Sequence, residues 1–423
     1  MTMAGALGVF ALLLLFMFLI DLYFYQGVRT IFYRKLWVPV IFWSITGLGY
    51  AYVLYTLTAF DPAASPRKVI NPFIGYFILF YIPKLLVIIL LLSEDLFRIF
   101  WGGVRALRRK ITGSKAKPLP EHSGPTIPSR RKFISQVALG LAAVPFGSIM
   151  YGMWKGKYDF RVLRKVIYFD DLPDAFDGFV IAQLSDVHSG SFDDKEKVQY
   201  GVDLLNEQKA DLFVFTGDLV NNRAEEMMKW MDTFGSIRAP FGQFSILGNH
   251  DYGDYVTWSS DEAKEANMED LYKVHQDLGF DLLRNEHRIL EKDGQKLLLA
   301  GVENWGHPPF PQKGDLDKAL KGAPEDAFTV LLSHDPTHFD EKVKVHSHKV
   351  HLTLSGHTHG MQFGIEIPGW IKWSPVKYRY PKWAGLYEDL GKFLYVNRGF
   401  GYLAFPGRVG IWPEITLLEL RKA

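Results

Sequence analysis

Val180-Ile181-Ala182-Gln183-Leu184-Ser185-Asp186-Val187-His188 is the stretch from which the fold of this 423-residue chain is read. It begins as a short apolar run of strand length and ends on a carboxylate and an imidazole two positions apart. The same construction recurs downstream. Leu212 to Thr216 runs into Gly217-Asp218, and Phe244 to Leu247 into Gly248-Asn249-His250-Asp251. Thr329 to Leu332 then runs into Ser333-His334-Asp335, and His351 to Leu354 into Gly356-His357-Thr358-His359. A further apolar run, Leu297 to Gly301, also reads as a buried strand. Helical patterns at Lys195 to Gln208 and Ala224 to Phe234 separate the first three strands, and Glu262 to Leu278 is a third. This alternation predicts a layered α/β domain over 159–423, a sandwich of central β-sheets flanked by helices. Functional loops in such folds sit at the carboxyl ends of strands, and every one of these blocks falls there.

Upstream the composition changes. Residues 1–20, 36–60 and 133–154 carry no charged side chain, and Phe73 to Leu92 is interrupted only by Pro83 and Lys84. Each run matches the roughly 20 apolar residues a helix needs to cross a bilayer. The expectation is an α-helical transmembrane region, with three spans in 1–112 and a fourth at 133–154, joined by a basic linker at 113–132. The first run lacks a basic start and a small-residue cleavage site, so it reads as a span rather than a signal peptide. With no carboxylate inside these runs, Lys84 is expected to snorkel towards the headgroups.

The basic residues Arg98, Arg105, Arg108, Arg109, Lys110, Lys115, Lys117, Arg130, Arg131 and Lys132 flank the linker. They outweigh Lys155, Lys157, Arg161, Arg164 and Lys165 beyond the last run, which places the linker in the cytoplasm and the α/β domain on the extracytoplasmic side. Ser129-Arg130-Arg131-Lys132-Phe133-Ile134 also fits a twin-arginine export pattern, although it is internal. Export signal and simple topology determinant remain open alternatives for it.

The net charge of +2 leaves no nucleic-acid footprint, and the absence of cysteine excludes disulfides, thiolate ligands and cysteine nucleophiles. The oligomeric state is not legible. Imidazole and carboxylate groups in the strand-end blocks suit Zn, Fe or Mn, whereas magnesium prefers oxygen ligands throughout.

Taken in order, Asp-x-His, Gly-Asp, Gly-Asn-His-Asp, His and Gly-His-x-His resemble the calcineurin-like metallophosphoesterases over roughly Val180 to Leu418. The stretch from Tyr395-Val396-Asn397-Arg398-Gly399 through Pro413-Glu414-Ile415 is similar to the membrane-associated bacterial branch. That branch includes UDP-diacylglucosamine pyrophosphohydrolase-like and twin-arginine-exported enzymes. The resemblance implies two divalent or mixed-valence metal ions (Mn, Fe or Zn). Asp186, His188, Asp218 and His359 would hold one; Asp218 would bridge to a second held by Asn249, His334 and His357. It further implies hydrolysis of a phosphodiester, pyrophosphate or phosphomonoester, a lipid-linked one included, by a metal-bridging hydroxide. Lowering a water pKa from about 15.7 to about 7 saves roughly 12 kcal/mol in forming that nucleophile. His250, adjacent to Asn249 but outside the implied ligand set, is expected to protonate the leaving group, with Asp251 orienting its ring. The alternative is a metal-loaded sensor or signalling module with little turnover.

Other histidines near the blocks, His338, His346, His348 and His351, are not expected to bind metal; His351 reads as structural. His275, His287 and His307 read as surface or substrate-edge groups. Relatives place glycine where this chain has Met361, a bulkier neighbour for the site. Pro368 to Trp383, rich in aromatic and basic residues, reads either as a packed loop or as a lip at the membrane boundary. Membrane lipids and a phosphoester substrate are thus the expected partners.

Overall fold

The computed structural model describes residues 3–58, 67–113, 129–367 and 369–423. The chain divides into two units, one of residues 1–60 and 72–150, the other of 61–71 and 151–423.

The first unit is helical: α1 (Met3–Ile31), α2 (Trp37–Thr58), and most of α3 (Arg67–Thr112) and of α4 (Ser129–Trp154). Stretches long and apolar enough to cross a membrane are Phe10–Ile31, Trp37–Thr56, Ile70–Thr112 and Arg130–Trp154. Their large apolar side chains, Leu12, Leu48, Ile89 and Leu141 among them, face outward, as helices solvated by lipid require. At 46 residues α3 extends far beyond Leu92. At 1.5 Å per residue it is about twice as long as a bilayer core is thick. Of the expected linker, 114–128 lies outside the described residues; Ser129 to Lys132 already belong to α4.

Lys84 departs from the expectation. Its Nζ lies 2.5 Å from Asp21 Oδ1, and the other Asp21 oxygen accepts the hydroxyls of Tyr50 at 2.6 Å and Tyr81 at 3.1 Å. Asp21 was outside the charge-free run, but α1 continues to Ile31, so the carboxylate falls inside the span. Lys84, paired with a buried carboxylate that two tyrosine hydroxyls also hold, has no need to reach the headgroups. Arg131, half of the arginine pair, is also engaged: it binds Glu94 at 2.7 Å and Asp95 at 2.6 Å on α3.

In the second unit the chain forms β1 (Arg161–Phe169), β2 (Val180–Leu184), α5 (Lys195–Asn206), β3 (Leu212–Thr216), α6 (Met231–Phe234), β4 (Gln243–Ile246), α7 (Asp261–Asp277) and β5 (Asp281–Leu282). Then follow β6 (Glu286–Lys292), β7 (Gln295–Gly301), β8 (Phe328–Leu332), β9 (Leu352–Ser355), the hairpin β10 (Ile365–Ile367) and β11 (Ile371–Trp373), β12 (Gly385–Asp389), β13 (Lys392–Val396) and β14 (Glu414–Lys422). One six-stranded sheet has the order β1-β14-β2-β3-β4-β5, the other β12-β13-β9-β8-β7-β6, and β10–β11 stands apart.

Strand alternation fixes the layers. Leu212 and Val214 face a core shared with Leu297, Leu299, Val330, Leu332, Leu352 and Leu354 of the other sheet. Phe213 and Phe215 point the opposite way, onto Val198 and Val202 of α5 and Leu271 and Val274 of α7. The far face of the second sheet buries Leu298, Ala300 and Leu331 against Phe339, Val343 and Val350. Each large apolar side chain among these contributes about 1.5–3 kcal/mol on burial. The result is the helix-flanked double sheet expected for this chain. Within it, β2, β3 and β4 are mutually parallel, as are β8 and β9, so the loops leaving their carboxyl ends gather at one rim.

Candidate active site

Three of the five strand-end blocks turn sharply as soon as their strands stop. Asp186, His188, Asp218, His357 and His359 all have positive φ, between 49° and 72°. For residues with a Cβ this left-handed conformation is strained, and its concentration at five chemically active side chains marks where the fold over-determines the backbone. Gly217 (φ 93°) shows how tight the turns are: a Cβ there would lie 2.5 Å from Gly248 N and 2.8 Å from His334 Nδ1.

The turns aim side chains at common points. His188 Nε2 lies 3.0 Å from His359 Nε2, and His359 Nε2 lies 3.2 Å from Asp186 Oδ1. Asp218 Oδ2 is 3.5 Å from His188 Nε2 and 3.3 Å from His334 Nε2. Two ligands held about 2.1 Å from one cation, at about 90–109° to each other, lie about 3.0–3.4 Å apart. Three of the four separations fall in that range, and the fourth, 3.5 Å, lies just above it. Two groups, Asp186 with His188 and His359, and Asp186 with Asp218 and His334, could each hold a metal ion.

Hydrogen bonding behind these groups supports the fit. His334 donates Nδ1–H to the Thr216 carbonyl at 2.7 Å, which leaves Nε2 directed inward, 3.3 Å from Asp218 Oδ2. Burial opposes charging His334, but Asp218 and Asp186 outweigh it and raise its pKa to about 10. The carboxylates demand positive charge at this point, which a divalent cation supplies. Burial pushes the His188 pKa well below its usual value, keeping the ring a neutral donor.

Asn249 and His357 face each other, Oδ1 to Nδ1, at 2.8 Å, and His357 N approaches both Asp186 oxygens at 3.0 Å. On its far side His357 Nε2 meets the Tyr380 hydroxyl at 2.8 Å and Asp335 Oδ2 at 3.4 Å. Asn249 Nδ2 donates to Tyr255 at 2.8 Å. Tyr380, Tyr255 and Asp335 therefore set the orientation of the Asn249–His357 pair. Asp335 sat in a recognised block, whereas nothing in the sequence marked the tyrosines beyond their aromatic surroundings.

His250 lies at the edge of the cluster. Its ring meets that of His188 edge-on with centroids 4.9 Å apart, and Nδ1 bonds the Asn221 carbonyl at 3.0 Å. Asp251, expected to orient this ring, is engaged by backbone amides of two loops. Asp251 Oδ2 accepts the amides of Asp218 at 2.9 Å and Gly248 at 2.8 Å; Oδ1 accepts those of Leu219 at 2.9 Å and Val220 at 3.2 Å. Two loops with otherwise unpaired N–H groups compete more strongly for a buried carboxylate than one imidazole does. Burial, with Asp218 beside it, pushes the Asp251 pKa up to about 7, while the N–H donors favour its ionised form.

Arg408 was unforeseen. Fully buried, it donates to the carbonyls of Arg398, Gly399 and Gly401, and its Nη2 comes within 3.3 Å of His359 Nδ1. Burial lowers its pKa to about 9. It ties the loop after β13 to the back of the His359 ring.

The remaining histidines have partners elsewhere. His351 accepts the Thr329 amide at 2.9 Å and meets Asp171 at 2.9 Å, a structural position. His338 meets Ser333 Oγ at 2.8 Å. His275, read from sequence as a surface or substrate-edge group, is instead buried against Phe215 and Phe280 and bonds Ser245 Oγ at 2.9 Å, because it falls on the inward face of α7.

A family model described as calcineurin-like phosphoesterase matches residues 179–361, the segment that carries all five blocks. A second, described as a probable calcineurin-like phosphoesterase transmembrane domain, matches residues 7–157. An uncharacterized metallophosphoesterase of Bacillus subtilis, YkuE, is 31% identical over 301 residues, 69% of this chain and 98% of that one. The chain belongs to the calcineurin-like phosphoesterases. A Danio rerio transmembrane protein with a metallophosphoesterase domain is 28% identical over 65% of this chain, which spans 60% of that protein's length. Among solved structures, TT1561 of Thermus thermophilus is similar at a TM-score of 0.33 and 14% identity, over 55% of this chain and 90% of that one. This calcineurin-like phosphoesterase is accordingly a metal-dependent phosphoric ester hydrolase and a membrane protein.

Proposed function

We propose that the protein is a dinuclear phosphoesterase working at a bilayer surface, on a phosphodiester, pyrophosphate or phosphomonoester, with its second unit extracytoplasmic. The observation that carries the reading is the convergence of Asp186, His188, Asp218, His334 and His359 at cation-ligand spacing. Asp186, His188, Asp218 and His359 would hold one metal; Asp218 would bridge to a second on Asn249, His334 and His357. When bound, the metals supply Lewis acidity, acidifying a water and polarising phosphoryl oxygens.

The chain's own groups do the rest. Asp218, with His250 N donating to its Oδ1 at 2.8 Å, is held so that its other oxygen faces both histidine sets. His250, anchored through Nδ1 on a backbone carbonyl, presents its opposite edge to the leaving oxygen and transfers a proton there. The excess of basic residues beside the linker motivates the topology. The membrane helices motivate a lipid-linked substrate.

Full-length protein loaded with Mn, Zn or Fe in turn should hydrolyse an aryl phosphodiester, and Asp218→Asn should lower that rate by about 10³-fold or more, as losing a central electrostatic group does. No turnover of any phosphoester at full metal occupancy sinks the enzyme mechanism. A reporter fused after Ala423 that reports the cytoplasm sinks the topology.

A further inference from the structure

The hairpin β10–β11 separates its apolar from its charged side chains. In the register Ile365↔Trp373, Glu366↔Lys372 and Ile367↔Ile371, one face carries Ile365, Ile367, Ile371 and Trp373. On that face Ile365 is 49% exposed and Ile367 43%, Ile371 and Trp373 are half-buried, and Trp370 at the turn beside it is 77% exposed. The opposite face carries Glu366, half-buried, and Lys372, exposed but with its ammonium turned back onto the domain. There Glu366 binds Arg398 at 2.6 and 3.1 Å, and Lys372 donates to the Ala384 carbonyl. Exposed apolar side chains gathered at one ribbon mark a surface suited to being covered.

Met361 adds to the same surface. It is 58% exposed at φ 54°, a conformation that costs a residue with a Cβ about 1–2 kcal/mol and that glycine would adopt freely. The strain sets an apolar side chain beside His359, at the foot of the hairpin. Four residues beyond β11, Lys377, Tyr378 and Arg379 are exposed and add two cations and one more aromatic ring to this part of the chain.

Backbone connections tie this surface to the end of a membrane span. Gly364 N donates to Val409 O at 2.9 Å, Val409 N to Gln362 O at 2.7 Å, and Arg408 N to Gly152 O at 3.2 Å. Gly152 lies in the last turn of α4, whose apolar span ends at Trp154. Tyr151 of that turn packs edge-on against Trp412, ring centroids 6.0 Å apart. The hairpin strands are three residues each, about 10 Å long, so the apolar face cannot stray far from that boundary.

We propose that β10–β11, with Met361, is an interfacial anchor seated in the headgroup layer of the bilayer that α4 crosses. Exposed Ile, Met and Trp, with exposed Lys, Tyr and Arg a few residues on, match what that layer solvates. Ser374, directly after β11, donates its hydroxyl to the Gly360 carbonyl at 2.7 Å, so the anchor and the His357–His359 loop are one piece. Seating the hairpin therefore brings the metal site to headgroup level, where it takes phosphoesters carried by lipids. This deepens the proposed function and rests on it.

The chain has no cysteine, so Trp370→Cys creates a unique labelling position. Labelled with an environment-sensitive fluorophore, the full-length protein in phosphatidylcholine–phosphatidylglycerol nanodiscs should be quenched by spin labels carried in the lipid. Leu390→Cys, 69% exposed on the turn between β12 and β13, should not. In parallel, Ile365→Ser with Ile367→Ser should leave hydrolysis of a soluble aryl phosphodiester unchanged and cut hydrolysis of a vesicle-borne phospholipid about tenfold or more. Equal, aqueous behaviour at 370 and 390 overturns the proposal. So does a label shielded from aqueous quencher but untouched by lipid quencher, which would mean a second copy or another protein covers the patch. Loss of the aryl activity in unmodified protein would instead strike the proposed function and leave the quenching result standing.

Discussion

The carboxylate of Asp251 accepts the backbone amide of Asp218 at 2.9 Å, so a residue from one strand-end block fixes the position of the central residue of another. Its remaining acceptor positions are filled by Gly248, Leu219 and Val220. Asp251→Asn removes an acceptor while nearly preserving shape, and leaves an amide N–H facing a backbone N–H. Metal affinity should fall about 10–100-fold, the usual consequence of disturbing a group that holds a ligand. Titrating metal back should restore most of the aryl phosphodiester activity. A shifted pH–rate profile with unchanged metal affinity would show that Asp251 acts on His250 after all.

His250 is separable from the metal ligands by leaving group. His250→Gln should lower kcat about 10²- to 10⁴-fold on an alkyl phosphodiester, whose leaving oxygen needs a proton. With 4-nitrophenolate as leaving group the loss should be much smaller. Equal losses on both substrates, measured at saturating metal, would assign His250 to metal support.

His275 supplies a pH dependence remote from the site. Burial lowers its pKa to about 3 from the ordinary 6.5. Above pH 6.5 the ring is neutral both folded and unfolded, and no stability is lost. As the pH falls from 6.5 towards 3, only the unfolded chain takes up this proton, so stability drops by up to about 1.4 kcal/mol per pH unit. Thermal melts of full-length protein in detergent between about pH 7 and 4.5 should therefore be steeper in pH for the native chain than for His275→Leu. Parallel curves would show that the ring protonates in the folded state.

Within the helical unit, Lys84 and Asp21 should behave as a pair. Lys84→Met strands a buried carboxylate and should cost about 3–5 kcal/mol, as breaking buried ion pairs does. Lys84→Met with Asp21→Leu should recover much of that loss, read as melting temperature in the same detergent. A single variant as stable as the native chain would mean that Asp21 reaches water.

The strands that carry the blocks were legible because burial on both faces makes them continuous apolar runs: Val180–Leu184 and Leu212–Thr216 fall where the residues indicate. Edge strands were not. β1, Arg161 to Phe169, mixes exposed, half-buried and buried positions with basic side chains, and only its pairing with β14 makes it a strand. Asp21 escaped notice for a related reason, since a charge ended the apolar run although the helix went on.

Sequence alone determined the chemistry, because imidazole and carboxylate side chains at strand ends keep their ligand character in any packing. It also determined the membrane helices, because length and hydropathy suffice for those. Tertiary structure decided which partner each polar group takes: Asp251 the backbone amides of two loops, Lys84 the Asp21 carboxylate rather than headgroups, Arg408 the back of His359. Asp251 and Asp218 are 33 residues apart in the chain, Lys84 and Asp21 63, and Arg408 and His359 49. Choices at that range are settled by which donors and acceptors the folded backbone leaves unpaired, and local sequence carries no record of that.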